Sequence, residues 1–141
     1  MTISKISKSL AAIALAVAVA GTGLGVNQAV AAGKYTWVYA AKGSAVANST
    51  SALSIGHMPR AIKLATEALP DATGADRVIA LQNLCIAHLE QGNRAAAEPN
   101  CAAATNEAPS VFSGKNERMI VSNIAKARAL NTHERAIATG E

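Results

Sequence analysis

Residues 75–109 read ADRVIALQNLCIAHLEQGNRAAAEPNCAAATNEAP, and the fold turns on them. Between about residues 76 and 91, Val78, Ile79, Leu81, Leu84, Cys85, Ile86 and Leu89 leave almost no polar face. A helix that is apolar nearly all round is covered by neighbours on both sides. Gly92 ends that helix and Asn93 caps the next. The second helix runs over about residues 94–106 with Ala97, Cys101 and Ala104 on one face. Pro99 falls inside it, where a missing amide and a ring clash cost about 3 kcal/mol or force a kink. The stretch therefore predicts two antiparallel helices around a Gly–Asn turn, with one cysteine on each.

Upstream, Pro59 suits a first helical turn, because the amide it lacks would be unpaired there. Ala61, Leu64, Ala65, Ala68 and Leu69 follow at three- and four-residue spacing, an apolar stripe that Pro70 and Asp71 stop. Thr73 and Asp76 form a variant of the capping box ahead of the central helix. Residues 32–55 form an arm or weak helix. Tyr35, Trp37 and Tyr39 alternate with Thr36 and Val38, a period of two that predicts an extended segment. Such an arm either plugs exposed apolar surface at one end of the domain or offers aromatic contacts to a partner. Downstream, Pro109, Ser110 and Gly114 mark a loop, and a last helix spans about residues 116–130, extending towards 138.

The N-terminal end has a different composition. Lys5 and Lys8 precede an apolar run over residues 10–20, and Ala29-Val30-Ala31 closes the segment. These are the basic, apolar and Ala-x-Ala portions of a signal peptide spanning residues 1–31. The apolar run is shorter than the roughly 20 residues a membrane span needs, so no anchor is expected after cleavage. Removing residues 1–31 takes away two lysines and no acid, which lowers the formal charge from +4 to +2. The remaining Lys and Arg are scattered, which argues against nucleic acid as a partner. The mature chain is periplasmic or secreted, and in an oxidising compartment its two cysteines predict one disulfide.

Cys85 and Cys101 each lie seven or eight residues from the turn at residues 92–93, on the mutually facing stripes, so each is the other's partner across the hairpin. The loop they close is worth about 3 kcal/mol in the chain-entropy picture. Zinc binding by Cys85, His88 and Cys101 lacks a fourth ligand. A Cys–His nucleophile lacks an orienting third group. The acidic residues form no catalytic pair, so neither an enzyme nor a metal or cofactor site is expected.

Leu81, Leu84, Cys85 and His88, then Gly92, Ala97, Cys101, Ala104 and Pro109, carry a recognisable spacing. It resembles a tetratricopeptide repeat, with Leu81, His88 and Cys101 standing where that motif has aromatics. Gly56, Ala61, Ala65 and Ala68 repeat Gly92, Ala97, Cys101 and Ala104 at an offset of 36 residues. Val121, Ile124 and Ala125 resemble the opening of a third unit. The resemblance implies an all-α, short helical hairpin array over residues 56–138 that binds a protein or peptide and carries no catalysis. By the family's register the concave groove takes Ile79, Gln82, Ile86 and Leu89 from the central helix and Met119, Ser122 and Lys126 from the last. The alternative for Ile79, Ile86 and Leu89 is packing on the preceding helix. The other functional class open to the chain is a structural or stress-related envelope protein that self-associates into a homo-oligomer.

Overall fold

The computed structural model describes residues 33–140; the signal peptide expected over residues 1–31 and its cleavage site lie outside them. Among the described residues the chain is all helical, with α1 Ala45–Ser54, α2 Met58–Ala68, α3 Gly74–Glu90, α4 Arg94–Val111 and α5 Gly114–Thr139. The nearly all-apolar α3 is the hub: it packs against each of the other four helices. Its residues from Val78 to Ala87 are buried without a break, as its composition requires. No helix among the described residues is long and apolar enough to cross a membrane.

The turns α1–α2 and α3–α4 are built alike. Gly56 and Gly92 both take positive φ, +81° and +73°. The Gly56 N–H bonds the Leu53 carbonyl at 3.0 Å, and the Gly92 N–H bonds the Leu89 carbonyl at 2.9 Å. The amides of His57 and Asn93 reach back to the Ala52 and His88 carbonyls, each at 2.8 Å. These are the paired bonds of a helix ending in a left-handed residue, which glycine adopts without steric penalty. After each turn the fully buried Ala61 and Ala65, or Ala97 and Cys101, let the second helix approach the first closely.

Several local expectations are corrected. Residues 32–55, expected as an arm or weak helix, divide into both: 45–54 are α1, capped by Ser44, whose Oγ accepts from the Ala47 N–H at 3.0 Å. Thr73 makes no capping bond; Gly74 enters α3 at φ +51° between the hydroxyl and the amides it would reach. α4 runs through both Pro99 and Pro109 to Val111 rather than ending near residue 106. Ala95, whose carbonyl Pro99 cannot serve, is exposed, so water can take the missing place. One residue on, Asn100 Nδ2 donates to the Ala96 carbonyl at 2.9 Å. α5 is a single helix of 26 residues, Gly114–Thr139, in keeping with the expected extension towards residue 138.

Residues 33–40 lie against the helices without forming one. The alternation in the sequence places Tyr35, Trp37 and Tyr39 on one side, whereas the structure buries Tyr35 and Val38 and leaves Tyr39 56% exposed. Trp37 packs beside Tyr35 with ring centroids 5.3 Å apart. The inward spacing is three because the arm runs over helices and follows no strand's pleat.

Candidate functional site: a face holding an extended segment

Cys85 on α3 and Cys101 on α4 are joined by a disulfide, with Cα atoms 4.8 Å apart and both side chains fully buried. The bond leaves neither sulfur free as a thiolate ligand or nucleophile. His88, three residues from Cys85, is held below the ordinary histidine pKa by partial burial, and its Nδ1 has no hydrogen-bond partner.

The seven groove residues divide by helix. Ile79, Gln82, Ile86 and Leu89 on α3 are all buried, so the expectation of an open groove there is corrected. Ile79, Ile86 and Leu89 belong to the hydrophobic core. Gln82 is 0% exposed, and neither its Nε2 nor its Oε1 finds a partner. On α5, Met119, Ser122 and Lys126 reach the surface and line an open pocket of about 250 Å³ with Thr36, Lys115 and Arg118. Neither Lys115 nor Arg118 is in an ion pair with a described residue.

The α3 set is covered by the helices packed around the hub, α2 among them, whereas the α5 set lies beside the arm. Tyr35 donates its hydroxyl hydrogen to Glu90 Oε1 at the end of α3, and Lys34 Nζ lies 3.6 Å from Glu90 Oε2. The Thr36 N–H donates to Asn123 Oδ1 at 3.2 Å while Asn123 Nδ2 donates to the Thr36 carbonyl at 2.7 Å. Lys126 Nζ donates to the Lys34 carbonyl at 2.8 Å. Asn123 is itself buried. Its amide offers one residue of the arm both an acceptor and a donor, which is what a neighbouring strand's backbone would offer. Bonds to main chain hold an extended segment whatever its sequence, and the burial of Tyr35 and Val38 adds selectivity. Burial, then the Glu90 hydrogen bond and charge, push the Tyr35 hydroxyl far above the usual tyrosine range.

The surrounding helices are fixed by polar ties. Asn131 Nδ2 on α5 donates to the Leu89 carbonyl at 3.0 Å, taking up a main-chain acceptor in the last turn of α3. Arg77 pairs with Glu107 at 3.0 Å across α3 and α4. Arg128 on α5 meets Glu98 on α4 at 2.6 Å, and that hydrogen bond holds the Glu98 carboxyl below its ordinary range. Under α1, Asn83 Nδ2 donates to Ser49 Oγ at 3.3 Å and to Thr50 Oγ1 at 2.9 Å.

Glu90, Asn123, Lys34 and Thr36 were not singled out by sequence reasoning. A helical signal exists for two of them: Asn123 and Lys126 lie three apart on one face of α5, and Glu90 lies one turn beyond Ile86 on α3. No protein-family model, curated protein or solved structure matches this chain.

Proposed function

We propose that this chain is an exported, tetratricopeptide-like interaction module that holds an extended segment of a protein across α3 and α5. The observation that carries the reading is the seat of Thr36, whose amide and carbonyl are both bonded by the Asn123 side chain. A face that bonds main chain in this way, with an adjoining pocket lined by Lys115, Arg118 and Lys126, is equipped for an extended peptide. Support for the repeat comes from the two turns, which share the same hydrogen bonds at an offset of 36 residues. On this reading α5 is the first helix of a third unit whose second helix is absent from the described residues, and atypical terminal units are common in such arrays. The leader-like residues 1–31 and the disulfide support a periplasmic or secreted location. Binding, without catalysis, is the proposed role, and self-association in the envelope is the alternative.

Capture from a cell-envelope extract tests the reading, with the intact mature chain beside its Lys126→Glu variant. The expected result is one distinct protein in stoichiometric amount on the wild type and its loss on the variant. Recovery of nothing but further copies of the chain replaces this reading with self-association.

A further inference from the structure

The arm is a segment of the chain lying in the seat just described. Every side chain that bonds it comes from α3 or α5: Glu90, Asn123 and Lys126. The link back to α1 is only residues 41–44. That link is closed by one bond, from the Ser44 N–H to the Ala41 carbonyl at 3.1 Å, and bends at Gly43 with φ +85°. Ala41, Lys42 and Gly43 are exposed, so straightening the link breaks that hydrogen bond and uncovers no core. An arm with no seat, by contrast, exposes Tyr35 and Val38 to water and gives up the paired bonds between Thr36 and Asn123.

We propose that the α3–α5 seat takes residues 33–40 of a second copy of this chain, so that two molecules exchange arms. The inference rests on reading α3–α5 as a seat for an extended segment, and it gives the form that self-association, the alternative above, takes there. The arm of a second copy carries the same Tyr35, Thr36 and Val38, so each bond made within one chain can be made between two. Exchange of an identical element is a low-cost route to a dimer when the hinge is short and open. What favours the closed monomer is the proximity of its own arm, an effective concentration of about a millimolar for a short flexible link. The exchanged pair therefore gains ground as the protein approaches that concentration.

The test uses the full mature chain with Trp37, which packs on the core without a hydrogen bond of its own, replaced by photoreactive benzoylphenylalanine. Light and heavy isotope forms are mixed in equal parts, unfolded and refolded together, and irradiated at about 10 µM and about 1 mM, either side of the expected local concentration. Exchange yields peptides in which a light arm is joined to a heavy α3 or α5. Together with the reverse pairing they approach about a quarter of all such cross-links at the higher concentration, where about half of the molecules are exchanged, and are scarce at the lower. Arm-to-helix cross-links joining only like isotopes at both concentrations sink the exchange and leave the seat standing. Absence of any cross-link from the arm to α3 or α5 sinks both. A second variant avoids the photoreactive residue: deleting Lys42 and Gly43 leaves the arm too short a link to double back. That chain is expected to sediment at twice the monomer mass, and a monomer overturns the proposal.

Discussion

The α1–α2 and α3–α4 hairpins share a turn and differ in what clasps them. In α3–α4 the facing positions are Cys85 and Cys101, joined covalently. At the same places, 36 residues earlier, α1–α2 has Ser49 and Ala65. There the Ser49 hydroxyl donates to the Ala61 carbonyl at 2.8 Å, a single hydrogen bond between the two helices. Thr50 beside it bonds its own helix at the Val46 carbonyl, and both hydroxyls accept from Asn83 on α3. One hairpin is closed by a cross-link and the other by a hydroxyl plus a neighbour's amide. Close approach of two helices at that point thus needs small side chains, while the chemistry joining them is free to vary. The hairpin that carries the bond contains the hub helix, where loss of packing would reach all the other elements.

The sharpest way to break the contrast is to give α3–α4 the chemistry of α1–α2. The double variant Cys85→Ser with Cys101→Ala removes a cross-link worth about 3 kcal/mol for a loop near this length. A hydroxyl introduced at position 85 can recover about 1 kcal/mol if it reaches the Ala97 carbonyl as Ser49 reaches Ala61. Urea unfolding under non-reducing conditions should therefore show a net loss of about 2–3 kcal/mol. A loss under about 1 kcal/mol would mean that packing, and not the bond, holds this hairpin.

A smaller effect is expected from Ser49→Ala. It deletes the donor to the Ala61 carbonyl and one of the two acceptors facing Asn83, and should cost about 1–2 kcal/mol in the same experiment. Its sign separates two roles for the cluster: a neutral result would show that Thr50 alone satisfies Asn83.

The smallest effect distinguishes the hairpins by acid. Where α1 has the buried Ala52, the matching place on α3 holds His88. Burial lowers the His88 pKa in the folded state, so the unfolded chain takes up the proton first. Its contribution is fully present above the ordinary value of 6.5 and is lost as pH falls through the lowered one. Urea midpoints compared at about pH 7.5 and pH 5 should fall less for His88→Ala than for the wild type. Equal falls would assign the acid sensitivity to a group other than His88; Glu98, whose carboxyl is also held low, acts below the ordinary carboxylate range and so outside this window.

The two central helices and their turn were legible because each signal was local. The apolar density of residues 78–89, the Gly–Asn pair and the single pair of cysteines all lie within one hairpin. α1 was harder, since Ser49 and Thr50 look like loop residues until Asn83, more than thirty positions away, supplies their bonds. Pro99 and Pro109 misdirected the end of α4 because a proline's penalty depends on whether the orphaned carbonyl can reach water. The tetratricopeptide-like register put Met119, Ser122 and Lys126 on one face of α5, and that face reaches the surface. Nothing local shows that the face of α3 is filled, because that depends on the other helices packed around it. Tyr35 and Glu90 are 55 residues apart, and neither is distinctive alone.

The hydrogen bonds between Thr36 and Asn123 span 87 residues, which sets an order of events during folding. Loop closure over such a length costs only slowly more than over a short one, but contacts this distant in sequence form late. A chain made or threaded from its N-terminus presents the arm first and α5 last. Until both α3 and α5 have formed, the seat of the arm is incomplete, and Tyr35 and Val38 remain open to water and to other chains. The earliest described segment of this protein is the last to be put away, and any factor that guards the unfinished chain meets those two side chains first.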